Sequence, residues 1–153
     1  MSRTQEVTIL LVEDDPGHAR LIEKNLRRSN VANDIIVASD GQQALDYLLG
    51  QGAYAGGERA SPLLVLLDLN LPVLDGYQVL KRMKADERTR CIPVIVLTTT
   101  DDDREVSRCY ELGCSVYITK PVEYDEFSEA IRKLGLFLSI VTIPDGADAD
   151  VRL

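Results

Sequence analysis

Leu63-Leu64-Val65-Leu66-Leu67-Asp68-Leu69-Asn70-Leu71-Pro72-Val73-Leu74-Asp75-Gly76 is the stretch whose reading decides the fold. Its first five residues make the most apolar run of the chain, with no polar alternation. That pattern suits a central strand buried on both faces of a parallel sheet. The run stops at a carboxylate, Asp68, and Asp75-Gly76 then opens a helical pattern carried by Tyr77, Val79, Leu80 and Met83.

The same alternation extends in both directions. Residues 8–12 form a short apolar, β-branched run, and a helix follows Pro16 with Ala19, Ile22 and Leu26 on one face. Pro16 fits a first helical turn and Asp15 a cap before it. Residues 34–38 read as a second strand, and Asp40 caps a helix that buries Ala44, Leu45 and Leu48. Residues 50–62, with Gly at 50, 52, 56 and 57, read as a loop. A fourth strand spans 92–97 and ends at Thr98, and a helix from about 102 to 112 stops at Gly113, a good helix-exit residue. Residues 115–118 form a fifth strand, broken by Lys120-Pro121. The last helix runs over about 123–138, with Phe127, Ile131, Leu134 and Leu138 on one face. Five β-α units in series predict an α/β fold, a parallel sheet covered on both faces.

Composition narrows the function. A length of 153 residues suits one domain, placed at 1–138, with a C-terminal extension at 139–153. The 17 basic and 25 acidic residues give a net charge of −8, which a phosphate backbone repels, so no direct nucleic-acid binding is expected. No apolar run approaches the roughly 20 residues that span a bilayer, and residues 1–8 are too polar and short for a secretory signal, so a cytoplasmic protein without membrane contact is expected. Cys91, Cys109 and Cys114 form no CxxC pair and read as reduced structural thiols, with a redox or zinc role as the alternative. His18 is the only histidine and reads as a surface residue at a helix start.

Ligands of such sheets bind at the carboxyl ends of the strands. Standing there are Glu13-Asp14-Asp15 after the first strand, Asp68-Leu69-Asn70 after the third, Thr98-Thr99-Thr100 after the fourth and Lys120 past the fifth. Crowded carboxylates need a cation. Oxygen ligands without sulfur or imidazole point to Mg²⁺. A carboxylate beside that ion can be a nucleophile toward phosphorus, with a lysine and a hydroxyl stabilising the transferring group.

With these residues in view, the chain resembles the receiver domains of two-component signalling. The resemblance rests on Leu11-Val12-Glu13-Asp14-Asp15, on Leu67 to Gly76, on Val96-Leu97-Thr98 and on Tyr117-Ile118-Thr119-Lys120-Pro121, and covers about residues 7–138. It implies a flavodoxin-like, doubly wound five-stranded sheet of order 2-1-3-4-5. It implies phosphorylation of Asp68 by a sensor histidine kinase. Asp14, Asp68 and the Asn70 carbonyl would ligate Mg²⁺, with Glu13 acting through water. Thr98 and Lys120 would contact the phosphoryl group, and Tyr117 would be an aromatic switch; a cis Lys120–Pro121 bond is also implied. Switching would reshape the face of helix four, strand five and helix five. The wording around Asp68, the glycine-rich loop and the segment 137–144 resemble single-domain regulators paired with bacterial phytochrome kinases. Thr99 departs from the small residue that the resemblance implies at its position, and its methyl and hydroxyl would narrow access for a phosphodonor.

Rival readings meet specific obstacles. An aspartate-nucleophile phosphatase needs a second Asp two residues on, where Asn70 stands, and a flavin site needs a phosphate-cradling loop where Glu13-Asp14-Asp15 would repel phosphate. A phosphorylation-independent docking module is the alternative function. Asp15 and Asp75 read as helix caps, and the carboxylates at 101–103 as a solvated helix start. The apolar segment continuing through Ile140, Val141 and Ile143 is expected to serve a homodimer, the alternatives being contact with its own domain or with the kinase.

Overall fold

The computed structural model describes residues 7–28, 32–57, 59–60, 63–99 and 102–119. Over these residues the elements are β1 (Thr8–Val12), α1 (Pro16–Arg28), β2 (Ile35–Ala38), α2 (Gly41–Leu49), β3 (Leu63–Leu67), α3 (Gly76–Ala85), β4 (Val94–Thr98), α4 (Asp103–Leu112) and β5 (Val116–Thr119). All neighbouring strands run parallel, in the order β2-β1-β3-β4-β5. This is the α/β architecture and strand order expected. The helix expected over 123–138 and the segment 137–144 lie outside the described residues.

The apolar runs do what their lack of alternation implied. On one face of the sheet, Leu10, Val12, Val65, Leu67, Val94 and Val96 pack with Ala44, Leu45, Leu48, Val79, Leu80 and Met83 of α2 and α3. On the other, Ile9, Leu11, Leu64, Leu66, Ile95 and Leu97 pack with Ala19, Ile22 and Leu26 of α1. Successive residues of one strand thus feed two cores, and each fully buried aliphatic side chain contributes about 1.5–3 kcal/mol.

Local chemistry sets the helix ends. Asp40, Asp75 and Asp102 each cap a helix, accepting from the backbone N–H groups of Gln43, Gln78 and Arg104. Gly50 and Gly113 end α2 and α4 in the left-handed region. Three strands differ from the sequence reading, β2 beginning at Ile35 rather than at 34. β4 begins at Val94 rather than at 92, because Pro93 lacks an N–H and the Ile92 amide instead closes a turn on the Thr89 carbonyl at 3.1 Å. β5 runs one residue later than expected. Within the 50–62 loop, Gly52–Tyr54 forms a 3-10 turn, and the Tyr47 and Tyr54 rings meet edge to face at 5.2 Å.

One close approach ties the fold to the strand ends. α2 starts so near the loop after β3 that a Cβ at Gly41 would overlap the Leu74 carbonyl oxygen and stand 2.9 Å from the Leu74 Cβ. Gly41→Ala is therefore expected to destabilise the protein by about 1–3 kcal/mol, the usual cost of overpacking. Urea unfolding checks this, and an unchanged midpoint would mean that the loop yields freely.

Candidate functional site

The parallel register brings the site together. Val12 pairs with Leu67, so β1 and β3 end level and deliver Glu13 and Asp68 side by side. The backbone holds both: the Glu13 N–H donates to the Ala38 carbonyl at 3.0 Å and the Asp68 N–H to the Val12 carbonyl at 3.1 Å. One carboxylate oxygen from each of Glu13, Asp14 and Asp68 lies within 4.8 Å of the others. Glu13 is 2% exposed and Asp68 8%, while Asp14 lies open to solvent. Two acidic groups are thus held out of water beside a third that remains in it.

The loop after β3 is shaped around Asp68. The Asn70 N–H donates to Asp68 Oδ1 at 3.1 Å, and the Gly76 N–H donates to the Leu69 carbonyl at 2.9 Å. A Cβ at Gly76 would overlap the Asp68 carbonyl oxygen and stand 2.6 Å from Leu69 Cα, so α3 starts against this backbone only because residue 76 is glycine. Between them, Val73 holds φ at +68° with its side chain 78% exposed, and the Leu74 N–H reaches back to the Pro72 carbonyl at 2.7 Å. A β-branched residue there is strained. Sequence reading did not single out Val73; its one signal is a position between Pro72 and Asp75-Gly76, both turn formers.

Thr98 ends β4 at the same end of the sheet. It is completely buried, and its Oγ1 has no hydrogen-bond partner among the described residues. A buried hydroxyl left so costs stability, which marks it as a donor in want of an acceptor. Thr99 is exposed, and Tyr117 on β5 is half-buried against the core. Lys120 and its bond to Pro121 lie outside the described residues. Asp15 caps α1, accepting from the Gly17 and His18 amides at 2.8 and 3.2 Å, and His18 is exposed, as both were read.

The donor set fits a hard divalent cation: oxygen atoms alone, from three carboxylates whose mutual repulsion a cation would relieve. Sulfur chemistry finds no support. Cys91, Cys109 and Cys114 are free thiols, and burial pushes both Cys109 and Cys114 up to about 11, far from the reactive thiolate. Another lysine, Lys84, is tied down structurally: its Nζ donates to the Arg90 and Ile92 carbonyls, each at 2.9 Å, and burial lowers its pKa. No helix among the described residues is long and apolar enough to cross a membrane.

Comparison with known proteins gives a consistent answer. The family model described as the response regulator receiver domain matches residues 9–132. A receiver domain structure from Rhodospirillum rubrum is 54% identical, with a TM-score of 0.84, over 93% of this chain and 100% of that one. Response regulator Rcp1 of Synechocystis is 38% identical over 89% of this chain and 92% of its own. Its Mn²⁺-bound structure superposes with a TM-score of 0.82, at 36% identity over 90% of this chain and 99% of that one. The phosphorylated cyanobacterial phytochrome response regulator RcpA is 34% identical, with a TM-score of 0.80, over 90% and 99% of the two chains.

Proposed function

The chain belongs to the response regulator receiver domain family, and on that premise we propose that it accepts a phosphoryl group from a sensor histidine kinase on Asp68. The observation that carries the reading is the carboxylate cluster in which Glu13 and Asp68 are buried beside the exposed Asp14, at the same strand ends as the Thr98 hydroxyl, which has no partner among the described residues.

In this proposal Asp14, Asp68 and the Asn70 backbone carbonyl hold Mg²⁺, with Glu13 acting through water. When bound, the ion offsets negative charge on the transferring phosphoryl group. Its fit is supported by the all-oxygen donor set and by the Mn²⁺-bound form of Rcp1. An Asp68 Oδ forms the new P–O bond while the phosphorus–nitrogen bond of the donor phosphohistidine breaks, its electron pair returning to the imidazole. The Asn70 N–H orients the Asp68 carboxylate. The Thr98 hydroxyl then donates to a phosphoryl oxygen, and Lys120 supplies a compensating positive charge. Tyr117 acts as the switch, and the output is a changed protein-binding surface around α4 and β5.

The partner class follows from likeness. RcpA is a phytochrome response regulator, which favours a phytochrome-type kinase as donor here. The receiver unit is taken as residues 1–138 and the extension as 139–153, with segment 137–144 serving a homodimer. The net charge of −8 argues against direct contact with nucleic acid.

Acetyl phosphate tests the reading without the kinase. The intact chain is expected to gain the mass of one phosphoryl group with Mg²⁺ present, and at least about tenfold less after EDTA removes the ion. A chain that gains no phosphoryl group is a docking module instead, and equal labelling with and without EDTA would remove the metal from the mechanism.

A further inference from the structure

Among the described residues α4 is the helix least anchored by burial. Only Cys109 of its ten residues is buried, against four or five on each of α1, α2 and α3. A helix so short takes its stability from packing, so specific side-chain contacts must place it. Two are present. The Arg108 guanidinium lies over the Tyr77 ring, 4.1 Å from its centre, and ties α4 to α3. On the other side, the Tyr110 hydroxyl accepts from the Tyr117 backbone N–H at 3.2 Å and ties α4 to β5.

The second contact closes a circuit. Thr98 is the last residue of β4, and the chain then passes into α4. Tyr110 returns from α4 to Tyr117, and β5 is hydrogen-bonded back to β4, where Tyr117 pairs with Val96 and Thr119 with Thr98. Movement at Thr98 therefore reaches Tyr117 by two routes, through the sheet and through α4. The route through the sheet runs over the paired strands, whereas the route through α4 includes a bond at the long end of hydrogen-bond range, made by a residue that is 49% exposed.

We infer that Tyr110 is a positioning residue of the switch: its hydroxyl holds α4 against β5 before phosphorylation and releases the Tyr117 amide after it. This rests on the proposed phosphorylation of Asp68. Release is the discrete two-state event that such a switch needs. Without the hydroxyl, the chain sits closer to its released form and accepts a phosphoryl group more readily.

Amide hydrogen exchange read by NMR on the full chain, with acetyl phosphate and Mg²⁺ as donor, tests the inference. Phosphorylation of the wild type is expected to lower Tyr117 amide protection by about tenfold, the scale of one lost hydrogen bond. Tyr110→Phe should show that lowered protection before phosphorylation. It should also take up the phosphoryl group about two- to fivefold faster than wild type, as expected for a population already shifted. A merely structural tyrosine would not speed uptake. Unchanged uptake in Tyr110→Phe, or Tyr117 protection that survives wild-type phosphorylation, overturns the inference and leaves the phosphorylation reading standing. A wild type that takes no phosphoryl group overturns both.

Discussion

Asp68→Asn is expected to lower phosphoryl uptake from acetyl phosphate and Mg²⁺ by about a thousandfold or more, because on the proposed reading it deletes the nucleophile of a covalent transfer rather than one supporting contact. The fold should survive. Asp68 sits just beyond β3, its N–H donates to the Val12 carbonyl whatever the side chain, and its Oδ1 accepts from the Asn70 N–H, a bond that an amide oxygen can also accept. Asn also removes one of three crowded carboxylates. Intact-mass measurement gives the uptake, and urea unfolding shows that the loss is chemical. Labelling equal to wild type would place the acceptor on another carboxylate, with Asp14 the first to examine.

Thr98→Val should move stability and function in opposite directions. The hydroxyl is completely buried and has no hydrogen-bond partner among the described residues, so there it carries a desolvation cost of about 1–3 kcal/mol without a compensating bond. Valine fills a similar volume and removes that cost, so the unfolding free energy should rise by about 1 kcal/mol. In the same variant, the bond that Thr98 would donate to a phosphoryl oxygen is gone, and uptake should fall by about ten- to a hundredfold, the loss of one electrostatic contact. A destabilised Thr98→Val would show that the hydroxyl is already satisfied in the resting protein, and unchanged uptake would take Thr98 out of the chemistry.

These two residues differ in how far the sequence reveals them. Asp68 stands at the end of the most apolar run of the chain, directly before Leu69-Asn70, and the joint pattern with Glu13-Asp14, Thr98 and Lys120 marks it. Thr98 is also legible by position, as the polar residue that ends the fourth apolar run. Its missing hydrogen bond is not, since that depends on what every neighbouring element brings within reach. Val73 is less legible still. Nothing in valine announces a left-handed backbone, which it holds here between the buried Leu71 and Leu74 with the Leu74 N–H bonded to the Pro72 carbonyl. Tyr110 is not legible in the sequence, where an exposed helical tyrosine carries no sign of the backbone amide it meets.

The sequence by itself determined the local alternatives. Unbroken aliphatic runs choose strands buried on both faces, aspartates choose helix starts, and glycines after α2 and α4 choose the exits, because each preference is settled by a residue and its near neighbours. Strand boundaries were legible to within a residue or two, failing where Pro93 withdrew an amide. What only the tertiary structure decided is which chain ends meet. Glu13, Asp14 and Asp68 become one cluster through the pairing of Val12 with Leu67, and the start of α2 is fixed by the Leu74 backbone. Parallel strands are joined by crossovers, so their register is set by the packing of both cores at once rather than by any turn between them.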